Sequence, residues 1–382
     1  MIRRPPRSTL DRSSAASDVY KRQPEQVRKI FKASRIIGRR FKLVHVFNRS
    51  ELIEVATFRS GEINSNDGEL VKDQSGKIIR DNIWGNLDQD THRRDFTVNA
   101  LYYCPKTKKI IGHKDGMSDI HKKSIVSIGD PKKRFSEDPV RSLRAIRFSN
   151  KLKFKIDTKI KDAIYEKGHL LSSISNARIF DEFCKMFLNG MAEKNFNKLN
   201  SFGLSKFLIT TEPDQNEFTS KLITEALRNT DKRMINNQSV TPGFLLAALL
   251  WPQLIEKCST KGEINLRKFF RSMDPILRSQ QRITAIPRKF HSYIKDIWVL
   301  QLKLHSRIGK QPYKTLKHPR FRAAYDFMLI REKSSGETKS LGKWWTNFQK
   351  NDENLKKSLI GSLKEKSQQE SFKTFGFSQE LR

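Results

Sequence analysis

Two short stretches of this 382-residue chain gather the residue types that handle phosphates. The first is Arg93-Arg94-Asp95-Phe96-Thr97-Val98-Asn99-Ala100-Leu101. Two guanidinium forks abut a carboxylate there, and apolar residues follow that would anchor the segment. Such forks suit a triphosphate or a ribose. A carboxylate beside them can hold a divalent metal or orient a nucleophile. The same three residues would serve equally well as a local Arg–Asp ion pair. The second stretch is Glu137-Asp138-Pro139-Val140-Arg141-Ser142-Leu143-Arg144-Ala145-Ile146-Arg147-Phe148. Asp138 before Pro139 reads as a helix start, with Asp as the cap and Pro at the first helical position. Asp138, Arg141, Arg144 and Arg147 then step by three and form a slanting ridge. Leu143 and Arg147 are i,i+4 neighbours, so burying one draws in the other. Partly buried guanidiniums without counter-charge cost on the order of several kcal/mol each. An anionic ligand such as a nucleotide would offset that cost; the plainer alternative is a solvated run of charge.

The elements that must position these residues fall into two styles. Pro24 to Phe31 reads as a helix with Pro in its first turn and Val27, Ile30 and Phe31 on one side. Phe41 to Phe47 and Leu52 to Phe58 suit strands, and short β-prone pieces follow at Leu101–Tyr103 and Ile125–Ile128. Ser60 to Gly76, rich in Gly, Ser, Asn and Asp, reads as a loop. After about residue 137 the strand signals fade. Helical periodicity runs over 138–152 and 178–188. It resumes around Leu204, Leu222, 244–250, 294–304 and 321–330, with 334–341 as a polar linker. The expected fold class is α+β: a small mixed head, then a long all-helical remainder.

Charge narrows the partners. Lys and Arg number 75 against 41 Asp and Glu, a surplus of +34. Such a surplus calls for a polyanion, either nucleic acid or an anionic membrane face. With no lipidation motif or amphipathic anchor in view, nucleic acid leads; a merely supercharged surface is the alternative. The stretch 281–350 alone holds 16 Lys or Arg and 4 Asp or Glu. It is interleaved with Phe290, Tyr293, Trp298, Tyr313, Phe321, Tyr325, Trp344 and Trp345. Cations and rings together meet the needs of single-strand binding, although Trp298 and Tyr325 have the spacing of core residues. The longest apolar run, Phe244 to Trp251, has eight residues, whereas a membrane helix needs about 20. The cysteines at 104, 184 and 258 match no zinc or disulfide spacing, which points to a reducing, cytoplasmic setting. Walker A and G-x-G-x-x-G sequences do not occur, so standard P-loop or dinucleotide binding is unsupported.

The segments RRDFTVNALYY (93–103) and EDPVRSLRAIRF (137–148) resemble two signature motifs of the class II nucleotidyltransferases. That group holds the bacterial poly(A) polymerases and the CCA-adding tRNA nucleotidyltransferases. The stretches at 24–46, 53–59, 80–90, 296–302 and 318–331 are similar to the bacterial poly(A) polymerase family in particular. The resemblance spans roughly residues 24 to 350. It implies an incomplete polymerase-β-like head over 24–136 and a helical neck that reads the nucleotide over 137–215. A helical body with a basic RNA-binding region would fill 216–382. Carried onto this sequence, Asp95 takes the place of an active-site carboxylate and Arg94 that of a nucleotide-contacting residue. Asp138, Arg141, Arg144 and Arg147 resemble neck residues that read the base edge and the triphosphate.

The implied reaction is adenylyl transfer from ATP to an RNA 3′ end, with Mg²⁺ as cofactor. RNA and ATP are the implied partners, without a membrane span and with a monomer expected. One departure matters. The family carries a G-G-x-V-R-D segment and an Asp-x-Asp metal pair just before the helix that starts here at Pro24. This chain has SSAASDVYKRQ in that place, and Asp11 and Asp18 form no such pair. Residues 1–23 read as a non-native or disordered extension, and the chain as a fragment lacking the metal pair. Little or no catalytic activity is then expected of it. The same-class alternative is CCA addition to tRNA; the different-class alternative is a non-catalytic RNA-binding protein.

Overall fold

The structure, a computed structural model, describes residues 23–38, 42–49, 51–59, 70–72, 78–81, 85–212, 216–260, 263–335 and 339–367. The extension at 1–22 and most of the loop expected at 60–76 lie outside the described residues. The chain divides into two compact units, one ending at Ser173 and one beginning at Ile174. That division falls inside the 137–215 segment set apart above as a neck.

The first unit opens with α1 (Pro24–Ile30), started by Pro in its first turn and a Gln23–Gln26 capping box. Val27 is buried, while Ile30 and Phe31 are half exposed, contrary to the shared apolar side expected of them. Strands β1 (Ser34–Ile37), β2 (Leu43–Asn48) and β3 (Glu51–Val55) form an antiparallel sheet in the order β1-β2-β3. Val44, Val46 and Val55 join Val27 in a small core. Pleat alternation turns Val44 and Val46 to one face of β2. A hairpin of β4 (Leu70–Lys72) and β5 (Ile78–Asp81) follows. Next come α2 (Leu87–Arg93) and a second hairpin of β6 (Leu101–Cys104) and β7 (Lys109–Gly112). The unit closes with α3 (Gly116–His121), β8 (Ser124–Ile125), α4 (Pro131–Glu137), α5 (Val140–Leu152), β9 (Lys155–Ile156) and α6 (Thr158–Lys167). The parallel pair β8·β9 places a strand after residue 137, where none was expected.

The second unit is helical apart from the two-residue strands β10 (Ser259–Thr260) and β11 (Glu263–Ile264). Its helices are α7 (Asn176–Phe187), α8 (Ala192–Ser201), α9 (Glu217–Ile235), α10 (Pro242–Cys258), α11 (Leu266–Ile283), α12 (Arg288–His305), α13 (Gln311–Leu316), α14 (Phe321–Ser335), α15 (Lys339–Lys350) and α16 (Glu353–Ser367). The mixed α+β class holds. The apolar run 244–251 lies in the first part of α10, and every residue of that run is buried. A helix that is hydrophobic all round belongs in a core, and α9, α11 and α12 pack around this one. Trp298 donates its indole N–H to the Ala247 carbonyl at 2.9 Å, which fixes α12 to α10. Trp298 and Tyr325 are buried, as their spacing suggested, but so are Trp344, Trp345 and Phe321. Phe321, Tyr325, Trp344 and Trp345 belong to one core cluster that runs from Leu300 to Ile360, and none of the five rings is a surface platform for bases. Of the linker expected at 334–341, residues 334–335 end α14, with Ser334 buried, and 339–341 begin α15, while 336–338 lie outside the described residues.

Candidate nucleotide site

Asp95 lies between α2 and a 3₁₀ turn at Thr97–Asn99. Backbone pairing holds its strip in place. The Ile128 N–H donates to the Asp95 carbonyl at 3.1 Å, the Thr97 N–H to Val126 at 3.0 Å, and Phe96 bridges Ser127. Phe96 is fully buried with its ring edge-on to Phe148 of α5. Thr97 donates its hydroxyl to buried Asp119 at 2.6 Å. The apolar residues that follow the Arg-Arg-Asp triplet therefore do anchor it.

Burial of Asp95 is nearly complete, at 7% exposure, and both of its oxygens are engaged. Oδ1 accepts from the Phe96 N–H at 3.0 Å and from Asn99 at 3.1 Å. Oδ2 accepts from Arg144 Nε at 2.5 Å. Burial opposes ionisation, but the Arg144 charge and hydrogen bond, the Asn99 bond and the Arg141 charge outweigh it. They hold the Asp95 carboxyl below its ordinary value. The first motif thus reaches across to the second through one ion pair whose carboxylate is buried and whose guanidinium is half-buried. An Asp–Arg pair does form, yet it is tertiary: the partners stand 49 residues apart.

Arg94 points elsewhere. Its Nε and Nη2 grip Asp90 Oδ2 at 3.0 and 2.9 Å, and its guanidinium lies 5.0 Å from the centre of the Tyr102 ring. Asp90 is buried and also accepts from the Tyr102 hydroxyl at 2.6 Å and the Arg59 N–H at 3.2 Å, with Arg93 at 3.5 Å. Burial and the Asp90 bond raise the Tyr102 phenol above its ordinary value, so it stays a donor. Asp90 was missed in the sequence, where Asp88-Gln89-Asp90 lies inside an ordinary polar run. Two residues apart on a helix, the side chains at 88 and 90 do not share a face.

The ridge on α5 forms as its spacing requires. Asp138 closes α4, and Pro139, already helical, stands one position earlier than expected, as the residue before α5. The Asp138 carboxylate still serves the helix start, accepting from the Val140 N–H at 3.3 Å. Arg141 lies close to Glu137 at 3.8 Å. Burial, then the neighbouring Arg134 charge, pushes the Arg141 guanidinium down to about 10. Arg147 is 8% exposed, carried inward with Leu143, which is fully buried. The Arg144 and Arg147 guanidiniums both lie over the Phe148 ring, at 5.3 and 4.6 Å.

Arg134 completes the cluster, and the sequence reading did not single it out. Its Nη2 donates to the carbonyls of Arg93 and Arg94 at 2.7 and 2.8 Å, and its Nη1 to Glu137 at 3.0 Å. In the sequence it sits within the unremarkable basic run Lys132-Lys133-Arg134. Six guanidiniums (Arg93, Arg94, Arg134, Arg141, Arg144 and Arg147) thus share this region with five carboxylates: Asp90, Asp95, Asp119, Glu137 and Asp138. The surplus is positive, and its geometry is already held by protein partners.

A divalent metal does not fit the same set. Among the described residues no group of three or more His, Cys, Asp or Glu could hold one. Both Asp95 oxygens are taken by protein donors, and Mg²⁺ needs several oxygen ligands of its own.

Comparison with known proteins places the chain. Residues 8–126 match the family described as poly A polymerase head domain, a match that begins within the stretch set apart above as an extension. Residues 153–218 match a probable RNA and SrmB-binding site of polymerase A, and 261–375 the arginine-rich C-terminus of polymerase A. Poly(A) polymerase I of Haemophilus influenzae is 37% identical over 350 residues, covering 88% of this chain and 77% of its own. The chain belongs to the bacterial poly(A) polymerase family. The poly(A) polymerase I of Escherichia coli O6:H1 is likewise 37% identical over 90% of the chain. The CCA-adding enzyme of Pediococcus pentosaceus is 36% identical over only 49% of it. Among solved structures, the Bacillus stearothermophilus CCA-adding enzyme in complex with CTP covers 92% of this poly(A) polymerase relative at 19% identity and a TM-score of 0.53. That likeness is one of fold.

Proposed function

We propose that this chain handles ATP and RNA 3′ ends for adenylyl transfer, the activity that the names of its poly(A) polymerase relatives carry. In that reaction a 3′-hydroxyl oxygen attacks the α-phosphorus, the α–β phosphoanhydride bond breaks, and pyrophosphate and a proton leave. The single observation that carries the reading is the Asp95–Arg144 ion pair. It ties the Arg-Arg-Asp strip to the arginine ridge and presents a preorganised, net-positive cluster to an anionic nucleotide. Asp95 acts here as a positioning residue for Arg144. Arg141, Arg144 and Arg147 contact the triphosphate and base edge, Asp138 steadies the start of the ridge, and Arg94 meets the sugar while held by Asp90. Division into a head (24–136), a neck (137–215) and a body (216–382) belongs to the same proposal.

A divalent metal is the family's usual helper in this chemistry, and the Asp-x-Asp pair expected to hold it is missing from the sequence just before Pro24. On that sequence departure we expect nucleotide and RNA binding, with slow or no extension of primers. The partial reach of the CCA-adding relatives speaks against CCA addition. No described helix is long and apolar enough to cross a membrane; a cytoplasmic location and a monomeric state belong to the proposal alone. The test is arginine labelling with phenylglyoxal, read by peptide mass spectrometry. ATP should protect Arg141 and Arg144 several-fold and CTP less. Equal labelling with and without ATP would overturn the reading.

A further inference from the structure

A second basic site lies in the second unit, far along the sequence from the arginine cluster. The loop before α13, α13 itself and α16 enclose an open pocket of about 580 Å³, lined by Lys310, Lys314, Lys317, Lys357, Tyr313 and Ile360. Lys310, Lys314 and Lys317 are spaced i, i+4, i+7 and so share a face. At about 1.5 Å per residue they span about 10 Å. All four lysines are exposed. Among the described residues none of the four has a carboxylate within ion-pair distance. The lining's one carboxylate, Glu353, faces Lys356 at 3.3 Å and also the Tyr313 hydroxyl. Lysines set side by side on one face repel, and Glu353 is the single carboxylate in the lining against four of them. The floor differs in kind: Tyr313 packs edge-on against Phe348 with ring centres 5.4 Å apart, and Ile360 is buried beside it.

We infer that this pocket is a docking site for single-stranded RNA, with the lysines on successive phosphates and a base against Tyr313. The inference rests on the reading that the chain handles RNA, and it assigns a place for the strand outside the nucleotide site. Point-like ammonium groups follow a phosphate backbone without reading sequence, and an aromatic floor accepts any base. Arginine forks, which would favour one planar anion in one pose, are missing from the lining.

Salt dependence tests it. Binding of a fluorescent oligoadenylate of about 15 nucleotides to the full chain is titrated at several salt concentrations. Single strands give a slope of about −0.7 in log affinity against log salt for each phosphate neutralised. Changing Lys310, Lys314, Lys317 and Lys357 together to Gln should flatten the slope by roughly 2 to 3 and weaken binding at low salt. The matching Lys→Arg set should keep the slope, and circular dichroism should show both sets folded. A slope unchanged in the folded Gln variant overturns the inference, as does a wild-type chain that binds no RNA. A Gln variant that loses poly-glutamate binding while keeping RNA binding also overturns it, in favour of an acidic protein partner. ATP protection of Arg144 is measured separately, so the nucleotide reading can stand or fall independently of this one.

Discussion

The arginine cluster of the first unit and the lysine pocket of the second carry the same sign of charge and handle it in opposite ways. Around Asp95, guanidiniums are buried or half-buried and directed by carboxylates, carbonyls or a ring before any ligand arrives. Around Tyr313, ammonium groups stand in water with no described carboxylate to hold them. The first arrangement suits one small anion in one orientation, because the ordering cost is already met by the fold. The second suits a long, flexible anion, because hydrated point charges gain mainly by releasing counterions.

The comparison breaks most visibly at Asp95. Replacing it by Ala leaves the Arg144 guanidinium without its buried counter-charge. Breaking a buried pair costs about 3–5 kcal/mol, and Arg144 is a third exposed, so the low end applies. Urea unfolding should show a loss of about 3 kcal/mol, and ATP protection of Arg144 should vanish; an unchanged midpoint would remove the premise of preorganisation. Arg134→Lys comes next. One ammonium cannot span two carbonyls and Glu137 as the fork does, so we expect a loss of about 2 kcal/mol and weaker ATP binding. Tyr102→Phe removes one donor from Asp90, which keeps Arg94 and the Arg59 N–H. The expected cost is about 1 kcal/mol, with Arg94 more reactive to phenylglyoxal.

Acid offers the finest resolution. The folded Asp95 carboxyl titrates below its ordinary value of 3.8. Its stabilising contribution is therefore fully present above about pH 4–5 and is lost as pH falls through the lower, folded value. The stability gap between wild type and Asp95→Asn should be flat at neutral pH and shrink only in strong acid. A gap that closed near pH 6 would contradict the assignment to Asp95.

Much of the site was legible in the sequence because its spacing is local. A three-residue step on a helix that must bury Leu143 brings Arg147 inward whatever else surrounds it. Pro24, the apolar run at 244–251 and the β-prone 101–103 were legible for the same reason: each reports a preference satisfied within a turn or a strand. Asp90 and Arg134 were not legible. Arg134 acts through carbonyls 40 and 41 residues away, and Asp90, although Arg94 is a local i,i+4 partner, owes its role to burial with Tyr102 and Arg59; nothing in a polar run announces which members will be buried. The rings at 344 and 345 show the limit from the other side. Composition allowed them to be stacking platforms, and core packing claimed them instead.

The sequence alone narrowed the partner toward a polyanion and determined the arginine spacing along α5 and the helical character of the second unit. These follow from net charge and short-range periodicity, which survive any choice of tertiary arrangement. Only the tertiary structure decided that Asp95 holds Arg144, that Arg134 spans the carbonyls of Arg93 and Arg94, and that four lysines face a common pocket. Those outcomes depend on which distant segments exclude water together, and burial, unlike spacing, is a property of the whole fold.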